Sequence, residues 1–261
     1  MHLVHGIIPY FDRPWEYLND EQLAARREFS AWRTRMWART SGAAASGGRQ
    51  SPGDKRDHDA AMNEPVDGRT LLPTPEMLTL IHCIFTIFFG SPIPRLTFHW
   101  SAKRTKGNLG LTRARPLLSF LLAPTISINP HLLTHGRFGP HCPLLNALST
   151  LLHECIHAFL LYRSCPTCLS TPLHDVAAGH GRAFQVLGRK VEEVFPRLLG
   201  VPVRLGRTES LMAAWGDVRP VISLCDFRSW GLNGVGRGGG TEEEVRGLVE
   251  RTDIAHNVLY T

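Results

Sequence analysis

The chain has 261 residues, 43% hydrophobic and 20% charged, which is enough to build a true core and excludes both a disordered chain and a disulfide-stapled miniprotein. Lys and Arg total 29 against 23 Asp and Glu, a net +6 that is compatible with a polyanionic partner without requiring one. Six Cys are too sparse for a secreted disulfide framework.

In chain order, Met1 to Tyr10 has two His, a Gly and a Pro, with no basic region and no small-residue cleavage site. It does not read as a signal peptide, and an intracellular, soluble chain is expected. Residues 14–39 alternate charges with few breakers and predict an amphipathic helix, taken as an N-terminal extension over 1–40. Residues 41–70 collapse into Gly, Ser, Ala, Asp and Arg, with too little apolar surface to offset the entropy of ordering. They are expected to form a flexible linker into a compact domain over 71–233.

Within that domain Thr74 reads as a helix cap with Pro75 at the first helical position, and the helix should run to Phe89, where Gly90 and Pro92 stop it. Its apolar run, Met77 to Phe89, contains His82 and is too short to cross a bilayer. Three β-like runs follow, Arg95 to Ser101, Asn108 to Arg115 and Thr125 to Asn129, with Lys106-Gly107-Asn108 turning between the first two. Pro143 opens a segment, Leu144 to Tyr162, that is apolar on almost every face, and Pro166 ends it by about Cys165. A further helix is expected over His180 to Leu199. Gly234 to Gly240 is a glycine linker into an acidic tail, with a short helix over Glu242 to Arg251.

The long apolar segment contains His153-Glu154-Cys155-Ile156-His157. Residues four apart on a helix lie roughly 40° apart and about 6 Å along the axis, so both imidazoles can reach one metal ion. Glu154, one residue on, can stand beside a zinc-bound water and act as its general base toward a peptide carbonyl. With 13 His and 13 Glu, chance supplies this spacing only about 0.03 times in such a chain. Two His and a Glu buried without partners would cost several kcal/mol, and a metal removes that cost.

A catalytic zinc takes three protein ligands and keeps one position open. Candidates for the third are His180, His174, Asp175, and Glu192 or Glu193. His180, between Gly179 and Gly181 at a helix start, is favoured because the backbone there can approach a metal closely. Leu160 and Arg163 occupy the places that a longer H-E-x-x-H-x-x-G-x-x-H pattern would need. The whole is expected to be an α+β, zincin-like domain: a helix, a small sheet, the H-E-x-x-H helix and a third-ligand helix.

At this point the chain resembles the SprT-like metalloprotease family. The resemblance rests on His153-Glu154-x-x-His157 and Gly179-His180-Gly181-x-x-Phe184. It is supported by the order of the preceding helix, Phe98-His99-Trp100-Ser101, the basic turn and Ile126-Ser127-Ile128-Asn129, and it spans roughly residues 72–200. It implies His153, His157 and His180 as zinc ligands, Glu154 as the catalytic residue, and proteolysis as the activity. In Spartan-like members that proteolysis is directed by DNA at crosslinked proteins, which implies a nuclear location. The sequence shows no match to a ubiquitin-binding zinc finger, a sliding-clamp-binding box or a paired CxxC ribbon.

Secondary signals are fewer. Cys165-Pro166-Thr167-Cys168 is a lone CxxC and reads as a loop with two thiols, a second zinc with His174 or Cys142 being the alternative. Cys155 should face the core, and Trp100, Phe227 and Trp230 read as packing residues. Charge is more informative. Residues 77–153 contain no acid but seven cations, Arg95, Lys103, Arg104, Lys106, Arg113, Arg115 and Arg137. One-signed charge on a contiguous element is how phosphates are met, so Lys103, Arg104, Lys106, Arg113 and Arg115 are candidate nucleic-acid contacts.

Overall fold

A computed structural model describes residues 2–46, 72–101, 109–118, 121–139, 142–163, 179–215 and 229–230. The expectations for the linker beyond residue 46, the Lys106-Gly107-Asn108 turn, Cys165 to Cys168, His174, Asp175, Phe227 and the tail 234–261 lie outside these residues.

Two N-terminal helices, α1 (His2–Phe11) and α2 (Asp20–Ser46), precede the expected domain. Asn19 and Gln22 open α2 with a reciprocal capping box: Gln22 N donates to Asn19 Oδ1 at 2.8 Å, and Asn19 N donates to Gln22 Oε1 at 3.2 Å. α2 carries Ala25, Phe29, Trp32 and Met36 at helical spacing, all buried. α2 runs through residues 41–46, so the chain is still helical at the start of the stretch expected as a linker. The apolar stripe of this N-terminal extension has a partner.

That partner is the central pair of helices. α3 (Thr74–Phe89) is buried along most of its length, and α5 (Arg182–Leu199) contributes Phe184, Leu187, Val191, Val194 and Phe195. Phe11 stacks on Phe88 at 5.6 Å, Phe88 on Phe195 at 5.5 Å, and Phe29 meets Phe195 edge-on at 5.6 Å, joining α1, α2, α3 and α5 in one aromatic cluster. Each such pair contributes about 0.5–1.5 kcal/mol beyond its area. Arg26 Nε donates to Leu198 O at 3.0 Å, and Arg33 Nη1 donates to Leu199 O. These cations meet the carbonyls at the C-terminus of α5, the negative end of its dipole. α3 starts one residue earlier than expected, with Pro73 and not Thr74 as the cap, and Gly90 closes it at φ 80°. Helix α5 begins at Arg182, which leaves His180 in the preceding turn.

The sheet has three strands, β1 (Thr97–Trp100), β2 (Gly110–Leu118) and β3 (Leu121–Ile128), in the order β1-β3-β2. β1 runs parallel to β3, with Phe98 opposite Ile126, and β2 and β3 are an antiparallel pair with Thr112 opposite Ile126. Phe98, Ile126 and Ile128 point into the core, while Thr97 and Thr125 meet outside through their hydroxyls at 2.9 Å. α4 (Pro143–Arg163) packs beneath β2 and β3, and α6 (Arg207–Trp215) follows α5. α4 is long and apolar enough to cross a membrane, yet nearly every residue from Leu144 to Leu160 is buried inside the fold. It is the core helix, and it carries the site.

Candidate metal centre and active site

His153 and His157 lie one turn apart on α4, and His180 is delivered by the turn before α5. Gly179 adopts φ 84°, a left-handed conformation that side-chained residues rarely take, and Gly181 serves as the N-cap of α5. The three Nε2 atoms converge: His153 to His180 at 3.0 Å, His153 to His157 at 3.1 Å and His157 to His180 at 3.1 Å. Phe184 is fully buried beneath them, its ring centroid 4.6 Å from the rings of His153 and His157 and 4.9 Å from that of His180.

The donor set fits a metal ion. His153 Nδ1 lies 2.8 Å from the carbonyl of Leu205, which can only accept, so Nδ1 carries the proton and Nε2 presents a lone pair to the cluster. Burial, then the neighbouring His180, pushes the His153 pKa down to about 3. His157 is also held well below the ordinary histidine range, by burial and by the other two rings. Neutral imidazoles facing one another at such distances satisfy their lone pairs together on one shared cation. Among the described residues, His153, His157 and His180 form the group able to hold a metal ion.

Glu154 projects from the next position on α4 toward the sheet. It is buried, and burial lifts its carboxyl to about pKa 7 against the opposing hydrogen bond from Thr112. Thr112 Oγ1 lies 2.6 Å from Glu154 Oε2. Two residues earlier on β2, Gly110 leaves the space the carboxyl fills: a Cβ there would lie 2.6 Å from Glu154 Oε1 and 2.7 Å from its Cγ. Strand alternation places Gly110 and Thr112 on one face, so β2 forms a cradle for this single side chain.

Residues 79–205 match the family model described as SprT-like. This segment is an SprT-like domain. No curated protein and no solved structure matches the chain. The matched residues start inside α3 and end at Leu205, so the SprT-like domain includes the three histidines, Glu154 and the β2 cradle, while α1 and α2 pack onto it from outside the match.

Within the SprT-like domain the two other ligand candidates among the described residues, Glu192 and Glu193, are committed elsewhere. Glu192 accepts from Leu205 N at 2.7 Å and pairs with Arg207 at 2.8 Å, and Glu193 pairs with Lys190 at 3.3 Å. Cys155 is fully buried, its thiol raised well above the ordinary range by burial. Trp100 donates its indole N–H to Leu72 O at 3.0 Å and packs edge-on against Phe98, and Trp230 is buried, as packing residues should be. Of the candidate nucleic-acid contacts, Arg113 is exposed on β2 and Arg115 follows two residues on. Lys103, Arg104 and Lys106 lie outside the described residues. Arg137 turns inward, donating to Gly206 O at 3.4 Å and standing 3.8 Å from Glu209.

Three contributors were not singled out for the site from sequence: Gly110, Thr112 and Leu205. Thr112 and Glu154 are 42 residues apart, and a backbone carbonyl leaves no trace in residue type. Phe184 was visible as part of a motif, but its place under three imidazoles was not.

Proposed function

We propose that the chain is a zinc-dependent metalloendopeptidase acting on DNA-associated or DNA-crosslinked proteins in the nucleus, with Glu154 as its general base. The observation that carries this reading is the meeting of three histidine Nε2 atoms at 3.0–3.1 Å beside a buried carboxyl with a pKa of about 7. His153, His157 and His180 would hold the zinc. When bound, the metal supplies a Lewis acid that polarises the scissile carbonyl and acidifies the attacking water. A base poised near neutrality is suited to taking that water's proton. Thr112 anchors the Glu154 carboxyl, which would accept that proton and later return it to the leaving amine. Phe184 shields the imidazoles from beneath and keeps their environment dry.

The nucleic-acid part of the reading is supported by charge. No acid occurs between Glu76 and Glu154, and Arg113 and Arg115 share a strand with the residues that cradle Glu154. The test is cleavage of a protein substrate by the purified chain with and without DNA, together with metal analysis. A salt titration of oligonucleotide binding completes it, for wild type and for a variant with Lys103, Arg104 and Lys106 reversed in charge. DNA-stimulated cleavage, and a log–log salt slope of about −0.7 to −0.9 per phosphate contact that flattens in the variant, are expected. Cleavage indifferent to DNA reduces the reading to a zinc protease without a nucleic-acid role. Zinc without cleavage reduces it to a metal-bearing interaction module.

A further inference from the structure

Behind the histidines lies a largely buried polar network that the proposed chemistry does not use. Glu192 on α5 spends both carboxylate oxygens on one short segment: Oε1 accepts from Leu205 N at 2.7 Å, and Oε2 accepts from Arg207 Nε at 2.8 Å. Arg207 also donates through Nη1 to Trp230 O at 2.9 Å. Between Leu205 and Arg207 stands Gly206 at φ 66°, where a Cβ would fall on the guanidinium of Arg137. The backbone can therefore reverse there and send the Leu205 carbonyl to His153 Nδ1 at 2.8 Å. Gln185, one turn into α5 and fully buried, donates its two amide hydrogens to His180 O at 3.1 Å and Arg207 O at 3.2 Å. Gly188 clears the path, since a Cβ there would lie 2.5 Å from Arg207 Cδ.

We propose that the Glu192–Arg207 ion pair and Gln185 form an internal frame that positions two of the three metal ligands, His153 through the Leu205 carbonyl and His180 through its own carbonyl. This rests on the metal-centre reading above. An ion pair with Arg207 buried and Glu192 partly exposed is a poor device for stability alone, because desolvation offsets much of its attraction. Its value here is geometric. One carboxylate fixes a loop at two points, and that loop sets the tautomer and the ring orientation of His153. Partners behind metal-bound histidines typically change metal affinity about 10- to 100-fold when removed. Glu192, Arg207 and Gln185 are positioning residues; none touches the site where a substrate would react.

The test uses the full chain and Co(II), whose d–d absorption reports ligand geometry. Gln185→Met removes both amide hydrogen bonds without changing charge, and Arg207→Lys keeps the charge but loses the forked contacts. Each should weaken Co(II) binding about 10- to 100-fold and alter the absorption band while the chain stays folded. Phe29→Leu, in the aromatic cluster remote from the site, measures what lost stability does by itself; it should leave affinity and band unchanged. If Arg207→Lys fails to fold, Gln185→Met carries the test. Wild-type affinity and band in folded Gln185→Met would overturn the frame while leaving the metal centre standing. Absence of Co(II) and Zn(II) binding by the wild-type chain would overturn the metal centre itself, and the frame with it.

Discussion

The hydroxyl of Thr112 lies 2.6 Å from Glu154 Oε2 and 3.0 Å from the backbone carbonyl of the same glutamate. A hydroxyl has one hydrogen, so both contacts are hydrogen bonds at once only when the carboxyl is protonated and donates to Thr112, which donates in turn to the carbonyl. A carboxyl with a pKa of about 7 is half-protonated near neutrality, so Thr112 is placed to serve both states of the base. Thr112→Val keeps the shape and removes the hydroxyl. Stranding a buried carboxyl oxygen in this way should cost about 1–3 kcal/mol of stability and slow proteolysis, with metal content unchanged. Thr112→Ser should restore both. A Val variant with wild-type cleavage would show that the contact is incidental.

Gly110 makes a sharper prediction because the space is already taken. A methyl group there would lie 2.6 Å from Oε1 and 2.9 Å from the carboxyl carbon, closer than real contacts allow, so Gly110→Ala must move the carboxyl. A displacement of about 1 Å costs on the order of 100-fold in rate, and the histidines are untouched. Zinc stoichiometry at the wild-type level with cleavage reduced by about that factor is expected, measured on one preparation by metal analysis and peptide hydrolysis.

The roles of His153, His157, His180 and Glu154 separate in the same pair of measurements. Alanine at any one histidine should reduce bound zinc sharply from about one equivalent, whereas Glu154→Gln should keep zinc and fold and lose cleavage. Full zinc in His180→Ala would remove it from the ligand set.

Much of the site was readable in the chain because its signals are local. The spacing of His153 and His157, the glycines around His180 and the prolines at positions 75 and 143 each act within one turn of helix. What was not readable depends on distant pairs. Nothing near Thr112 marks it as the partner of Glu154, and nothing near Glu192 marks it as bound to the loop that orients His153. The N-terminal helix is the intermediate case. Ala25, Phe29, Trp32 and Met36 recur at intervals of four, three and four, an apolar stripe that requires a facing surface. The Gly- and Ser-rich stretch after it suggested a boundary, and chain composition carries no information on what packs across a linker.

Because that stripe is filled by α3 and α5, the N-terminal helices should be inseparable from the SprT-like domain. Phe29→Ala should cost about 3–5 kcal/mol. A chain starting at residue 72 would expose Phe88 and Phe195 and leave the carbonyls of Leu198 and Leu199 without Arg26 and Arg33. It should aggregate or bind metal poorly. A monomeric truncated chain with the full-length melting temperature would show that α1 and α2 are dispensable.

The acid response of the metal-free chain tests the burial of the site. His153, held at about pKa 3, and His157, held well below 6.5, stay neutral in the folded state while the unfolded chain takes up protons below about 6.5. Unfolding then binds protons, so these two histidines make stability fall as pH falls. Glu154 acts in the opposite sense. Between its unfolded value of 4.5 and its folded value of about 7, the folded chain keeps a proton that the unfolded chain releases, and stability falls as pH rises. From pH 6.5 to 4.5 the glutamate therefore opposes the histidines, offsetting about one proton of their slope, or about 1.4 kcal/mol per pH unit. Below 4.5 the carboxyl is protonated in both states, its opposition ends, and the fall in stability should steepen. Denaturant titrations of chelated protein from pH 3.5 to 8 would read this. Subtracting Glu154→Gln from wild type removes every other titrating group. The difference should be a slope of about one proton confined to pH 4.5–7, and a flat difference would mean that Glu154 titrates as an ordinary solvated carboxyl.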